Sequence, residues 1–402
     1  MDRRLAVLVA CFLSIFVSYA VRYGYGILLP EMLLFLAISK TEAGVIYASF
    51  FIAYTVFSPI LGLLGDRYNM RSLLTLFVAV LGAGTFLMAY STSIVQASLF
   101  FVLAGIGSAV CFAPTMALVQ RWTSDKHRGK TLAFIETGSA FGIVGTSTAV
   151  PMIVTAHSWR AGWMGLGALS LAVAAINFLA VRDHPGEQSR FHQQRLEQRS
   201  DEPVSALYIR LLRDRKFWLL GLAYLFTGFY ITIPFTFLST YAIQELAFSY
   251  ETATRLITII GIGAIIGKVT LGPLSDKVGR IRVMMLCALL IAGGSLGMAF
   301  GQGAGLIVFT VVFSVGYGTV WPMYAASASD YFSKESSGSV IGLWIVYLGI
   351  GLIFSPIIAG WIADTTGTLS WSFILAAAGA MISFLLLVPM WRTSPAGLPQ
   401  RQ

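Results

Sequence analysis

The stretch Leu63–Arg71, LLGDRYNMR, places one aspartate and two arginines between two long apolar runs. The stretch Pro273–Arg280, PLSDKVGR, repeats this pattern about 210 residues further along the chain. In a sequence that is 57% hydrophobic and only 11% charged, such clusters indicate short polar loops between apolar segments. Their repetition predicts two related halves, which is a feature of many helical membrane transporters.

The segments between these loops are long and continuously apolar. An example is LLTLFVAVLGAGTFLMAY, Leu73–Tyr90. A water-soluble domain cannot hide this much apolar surface, because surface grows too quickly relative to core volume. A membrane β-barrel alternates apolar and polar residues, whereas runs of about 20 apolar residues span a bilayer as helices. The sequence therefore predicts an all-α membrane protein embedded in a lipid bilayer.

Counting the apolar runs predicts about twelve spans. The predicted boundaries are 5–36, 43–65, 72–91, 94–119, 130–154, 162–181, 215–243, 252–274, 281–300, 303–327, 337–363 and 370–391. Between the sixth and seventh spans lies the longest polar stretch, which predicts a linker with an amphipathic helix near Leu207–Leu212 at the membrane surface. We predict two six-helix bundles, 1–181 and 215–402, joined by the linker 182–214.

Most of the 27 lysines and arginines lie at the termini, in the linker, or in loops on the same side of the predicted spans. Because such residues are enriched on the cytoplasmic side, we expect a multi-pass protein of the cell membrane with both termini cytoplasmic. The N-terminus resembles a signal peptide, but its apolar stretch continues past Arg22 without a convincing cleavage site, so it is interpreted as the first span.

Other classes of site are not indicated. The three cysteines, Cys11, Cys111 and Cys287, lie within apolar runs, which predicts buried thiols without disulfides. The four histidines show no metal-ligand spacing, and no catalytic or nucleotide-binding motif is present. We expect no enzyme activity, cofactor, metal or nucleic-acid partner, and a protein that is monomeric.

The two loop motifs resemble the signature of the major facilitator superfamily, G-x-L-x-D-R-x-G-R-[KR]. In the first copy the matching residues are Gly62, Asp66, Arg67 and Arg71, and in the second copy they are Gly272, Asp276, Lys277 and Arg280. Asn69 replaces the second glycine of the first copy, and asparagine also tolerates a left-handed backbone. The resemblance implies two six-helix bundles that move around a central site.

In this interpretation the motif charges form a gate at the cytoplasmic side. Asp66 can accept hydrogen bonds from a neighbouring helix N-terminus, or pair with Arg71 or Arg128, in one of two arrangements of the bundles. The alternative is that the charges only fix topology. The aspartates favour the gate, because topology depends on the basic residues.

Three ionisable residues lie inside predicted spans: Arg22, Glu136 and Lys268. Each costs about 2.5–3.5 kcal/mol at the membrane centre and therefore needs a partner or a wet cavity. Arg22, next to Tyr23, is predicted to line the transport pathway; the alternatives are a structural ion pair or snorkelling outward. Lys268, with glycines on both sides, is predicted to bind substrate, the alternative being snorkelling to the headgroups. Glu136 either joins a gate with Arg128 or Arg121, or carries a proton.

The predicted spans contain two basic residues and one acidic residue, so the site between them should carry a net positive charge. This predicts an anionic substrate, most simply a carboxylate. A weaker resemblance to monocarboxylate transporters and oxalate/formate exchangers agrees, because they carry a substrate-binding arginine four residues before the second motif glycine, where this chain has Lys268. The aspartate of their eighth helix is replaced by Ala264, which places their proton coupling in doubt. Further aromatic candidates for the pathway are Tyr230, Tyr317, Trp321, Trp344 and Tyr347. The alternatives are a transporter for neutral or cationic solutes and a sensor with this fold.

Overall fold

The computed structural model describes residues 3–65, 68–124, 127–182, 204–332 and 334–391. Within these ranges twelve helices are long and apolar enough to cross a membrane. Numbered α1 to α12, they are Arg3–Leu36, Lys40–Leu64, Met70–Tyr90, Ile94–Arg121, Arg128–Ala156, Trp159–Ala180, Arg215–Gln244, Tyr250–Val278, Arg280–Phe300, Ala304–Tyr331, Ser336–Thr366 and Ser370–Met390. The predicted all-α membrane fold with twelve spans is confirmed.

The helices extend a few residues beyond the apolar runs, because polar residues cap them. Ser39 begins α2 with a capping box, in which its side chain accepts from the Glu42 amide and the Glu42 side chain accepts from the Ser39 amide. Ser249 similarly accepts from the Thr252 amide at the start of α8. Hydropathy alone does not count such capping turns as part of a span.

Two spans are interrupted. The span α4 consists of helical segments Ile94–Ser108 and Ala113–Arg121, and α5 consists of Arg128–Glu136 and Gly138–Ala156. In α4 the second segment begins at Ala113 and has Pro114 in its first turn, where the missing amide of proline is tolerated. The interruption in α5 directly follows Glu136, so this carboxylate lies at the end of a helical segment.

The two loop motifs differ in backbone conformation. Gly279 ends α8 with φ +101°, which favours glycine. Asn69, at the matching position, has φ −58° and caps α3 by accepting from the Ser72 amide. The expected left-handed conformation of Asn69 is therefore wrong, because its side chain acts as a helix N-cap instead.

Between the sixth and seventh spans, a short helix, Val204–Arg213, coincides with the predicted amphipathic segment. Leu211 is buried, whereas Ile209 and Leu212 are about half exposed. The remaining linker residues 183–203 lie outside the described ranges. The division into bundles 1–181 and 215–402 stays a prediction, and for orientation we call α1–α6 the first half and α7–α12 the second half.

Candidate substrate site and gates

Arg22 lies in the middle of α1, and only 6% of its surface is exposed. Four aromatic rings surround its guanidinium group. The Cζ atom lies 4.6 Å from the ring centroid of Tyr54 and 4.9 Å from that of Tyr19. The rings of Phe50 and Phe51 each lie at 5.6 Å. We call Arg22 with these four rings the arginine cage.

The charge in the arginine cage lacks a counterion in the part of the chain that the structure describes. Among the described residues, no carboxylate lies within ion-pair distance of Arg22. Its buried Nε atom makes no hydrogen bond, and neither does the hydroxyl of fully buried Tyr47. Aromatic faces attract a cation, but they do not satisfy its hydrogen-bond donors. The Nε donor in the cage therefore lacks an acceptor.

The neighbouring Tyr23 connects the two halves. Its hydroxyl lies 3.1 Å from that of Tyr317 on α10, and its ring packs against Phe235 of α7 with centroids 3.9 Å apart. Tyr317 was one of several aromatic candidates in the sequence, and its pairing with Tyr23 depends on the packing of α1 against the second half. The arginine cage thus lies beside the interface between the halves.

Lys268 and Glu136 form an ion pair across that interface. The Lys268 Nζ lies 2.8 Å and 2.7 Å from the two carboxylate oxygens of Glu136 on α5, and 3.5 Å from the Ser139 hydroxyl. The two side chains are 21% and 28% exposed. The structure thus gives Glu136 a partner, Lys268, that was not among the pairings expected from the sequence.

This pairing changes the expected charge of the site. Lys268 and Glu136 neutralise each other, whereas Arg22 has no counterion among the described residues. A role of Lys268 in substrate binding stays a prediction. Tyr347 packs against Phe217 and Trp218 at the start of α7, and no described contact joins it to Arg22 or Lys268.

The first loop motif is only partly described, since Asp66 and Arg67 lie outside the described ranges. Arg71 donates from Nε to the Phe178 carbonyl at 2.6 Å and stacks on the Phe178 ring. Arg128 is half-buried at the start of α5. The predicted gate around Asp66 therefore stays a prediction, whereas Arg71 fastens α3 to the end of α6.

The second loop motif contains a complete ion cluster. The guanidinium of Arg280 lies 3.2 Å from Asp276 and 2.5 Å from Asp330 at the end of α10. Lys277 is exposed, and a Cβ at Gly272 would meet no atom within 4 Å. Asp330 was not among the residues expected from the sequence, although a lone carboxylate at the end of an apolar run was a visible signal.

At the opposite end of the bundle, two further carboxylates were missed. Asp364 of α11 accepts three hydrogen bonds from Lys40 and Thr41 at the start of α2. Glu245, after α7, accepts from the Thr368 hydroxyl and the Leu369 amide just before α12. The first contact joins the two halves, and the second lies within the second half.

Twelve long apolar helices in the described part of the chain define a multi-pass membrane protein. The sequence model of the Major Facilitator Superfamily matches residues 11–300 and again residues 243–402. The chain belongs to this superfamily. The expected resemblance is confirmed, and the family indicates a transporter and a multi-pass membrane protein rather than an enzyme.

Relatives with named activities cover almost the whole chain. The hexuronate transporter of Bacillus subtilis (strain 168) is 25% identical over 415 residues, 98% of this chain and 97% of that protein. Monocarboxylate transporter 12 of Xenopus laevis is 23% identical, over 95% of this chain and 87% of that protein. The membrane sensor protein UhpC of Escherichia coli (strain K12) is 25% identical, over 94% and 90%.

The fold also matches solved structures. The nucleoside transporter NupG superimposes with a TM-score of 0.79 at 14% sequence identity, over 96% of this chain and 99% of that one. At this identity the match concerns the fold alone.

Proposed function

We propose that this protein is a secondary transporter that moves a small organic anion, of the monocarboxylate kind, across the cell membrane by alternating access. The observation that carries the proposal is the buried guanidinium of Arg22, which is held by four rings and has no carboxylate within ion-pair distance among the described residues. A buried cation without a counterion is costly, and an anionic ligand would supply the missing charge and hydrogen-bond acceptors.

The names of two relatives support the same class of substrate. A hexuronate and a monocarboxylate are both carboxylic acids, and the corresponding transporters are 25% and 23% identical to this chain over nearly its full length. Cargo of this kind fits the chemistry of a guanidinium, which can hold a carboxylate through two parallel hydrogen bonds.

Lys268 is the second counter-charge in this proposal. Its ammonium is held by Glu136, and a substrate carboxylate would compete with Glu136 for it. The ion pair joins α5 of the first half to α8 of the second half. Binding of a substrate carboxylate to Lys268 would therefore break a contact between the halves. Protonation of Glu136 would free Lys268 in the same way, which provides a route for proton coupling.

The orientation and oligomeric state complete the proposal. The side that holds most of the basic loops faces the cytoplasm together with both termini, and the protein acts as a monomer driven by a gradient or by exchange. Cargo would bind between the two halves, near the interface formed by Tyr23 and Tyr317.

The test is uptake into liposomes that contain the purified protein. A panel of carboxylates, from lactate-like acids to sugar acids, is compared with matched neutral sugars and with amines. We expect saturable uptake of at least one carboxylate and none of its neutral analogue. Uptake of sugars or amines alone would contradict the anionic class. A protein that binds a carboxylate but moves none would instead support the sensor alternative, to which the similarity with UhpC points.

A further inference from the structure

The start of α2 is capped from the other half of the molecule. The carboxylate of Asp364, at the end of α11, accepts from the Lys40 amide at 3.0 Å, the Thr41 amide at 2.8 Å and the Thr41 hydroxyl at 2.6 Å. A carboxylate in this position also interacts favourably with the positive end of the helix dipole. We call this contact the Asp364 cap.

The Asp364 cap completes the first turn of α2. The amide of Glu42 is satisfied within the same segment by Ser39, but the amides of Lys40 and Thr41 bond only to Asp364 among the described residues. The first amides of a helix have no partner within the helix. Two of them therefore depend on a residue from the second half, and they lose it when the halves separate at this end.

Two glycines bring the backbones together beside the cap. A Cβ at Gly44 of α2 would lie 2.3 Å from the Pro356 carbonyl oxygen, and a Cβ at Gly360 of α11 would lie 2.2 Å from the Lys40 carbonyl oxygen. Neither distance is sterically possible, so only glycine allows this approach. The contact between α2 and α11 is consequently tight at the end that carries Asp364.

Further along the same two helices, towards their other ends, the space beside two glycines is open. A Cβ at Gly62 near the end of α2, or at Gly342 near the start of α11, would meet no atom within 4 Å. The tight contact of α2 with α11 at the Asp364 end is the kind of contact expected in one of the two arrangements of a transporter whose halves rock around a central site. The end that carries the Asp364 cap is the closed one.

We propose that Asp364 is a conformational latch, whose carboxylate stabilises the arrangement in which the halves are closed at this end and is released when they open. The latch stabilises only the closed arrangement, because Asp364 lies in the second half and its hydrogen-bond donors lie in the first half. These hydrogen bonds can form only while the halves are closed at this end. Water replaces these bonds in the other arrangement, where the charge–dipole attraction is weakened by solvent.

The test measures the distance between the halves without substrate, so it does not depend on the proposed cargo. Spin labels are placed on H157C and Q302C, two exposed loop positions at the closed end, one in each half. In Asp364→Asn the charge is lost and an NH2 group faces the amide donors. We expect the ratio of open to closed distances to rise about tenfold, because a hydrogen bond to a charged group is worth at least that factor.

Glu245→Gln provides the matched control. It removes a carboxylate that caps a helix in the same way, through one hydroxyl and one amide, but entirely within the second half. It is expected to lower thermal stability and leave the distance ratio unchanged. Gly360→Ala is the positive control, since its methyl group cannot fit in the closed arrangement.

An Asp364→Asn variant with the distance ratio of the parent would overturn the proposal, and so would an equal rise in Glu245→Gln. If Asp364→Asn fails to fold, Thr41→Val tests the same idea with a milder change. It removes one of the three hydrogen bonds and keeps both backbone amides. A smaller rise in the open fraction is expected, and no rise would again reject the latch.

Discussion

Replacing Arg22 by methionine should separate a substrate-binding arginine from a structural one. In the substrate-free protein, removing Arg22 eliminates a buried cation that costs about 2.5–3.5 kcal/mol in a membrane span. It also removes the attraction of the two nearest rings, Tyr54 and Tyr19, at about 0.5–2 kcal/mol each. These contributions nearly cancel, so the melting temperature of the substrate-free protein should change by only a few degrees.

The effect on binding should be much larger. Removing one partner of a buried, hydrogen-bonded charge pair costs about 2–5 kcal/mol, and a loss of about 3 kcal/mol weakens binding roughly 100-fold. A carboxylate present at about 100 times its Kd stabilises the parent protein by about 2.7 kcal/mol. At the same concentration the variant would be stabilised by only about 0.4 kcal/mol, so the ligand-induced shift should almost disappear.

The assay is thermal unfolding of purified protein with and without the carboxylates that are transported. Arg160→Met is the matched control, because Arg160 also stacks on aromatic rings, 4.0 Å from Phe35 and 5.0 Å from Trp159, but lies at the closed end of the bundle. It should keep the full ligand-induced shift. A large loss of stability in Arg22→Met together with a retained ligand shift would refute the assigned role.

Three smaller predictions concern packing and ion pairs. Lys268→Met alone should destabilise the protein by about 1–2 kcal/mol more than Lys268→Met combined with Glu136→Gln, because the single change leaves a carboxylate without its partner. A double-mutant cycle measured by thermal unfolding tests this, and additive effects of the two changes would contradict it. Asp330→Asn should destabilise the protein more than Asp276→Asn, because the Asp330 side chain is 27% exposed and the Asp276 side chain is 68% exposed. Equal melting temperatures of the two variants would be inconsistent with the ion cluster. Gly107→Ala would place a methyl group 2.2 Å from a backbone nitrogen of α3 and should lower stability by about 1–3 kcal/mol or more, whereas an unchanged unfolding midpoint would indicate looser packing.

The sequence predicted the fold well because bilayer thickness imposes a length that can be read directly from apolar runs. Twelve spans were expected and twelve are present in the described ranges. The errors lie at the ends, where capping by residues such as Ser39 and Ser249 adds a turn outside the apolar run. Asn69 was misjudged for a related reason, since it caps a helix rather than forming a left-handed turn.

The site was less predictable because its contacts join residues far apart in the chain. Composition and position identified Arg22, Glu136 and Lys268 as charges inside spans, but the pairing of Lys268 with Glu136 depends on how α5 packs against α8. Asp364 was missed for the same reason, because nothing local to α11 shows that α2 begins beside it. A sequence shows which charges need a partner more readily than it shows where each partner is.

The uncompensated guanidinium of Arg22 has a consequence for energetics. A carrier that reorients with this site empty exposes one positive charge alternately to the two sides, and each elementary charge that crosses a membrane potential of 100 mV changes the free energy by about 2.3 kcal/mol. With a monoanion bound, the site is neutral and the same step is insensitive to voltage. The membrane potential would therefore act on the return of the empty carrier, and currents recorded at different voltages would report that step.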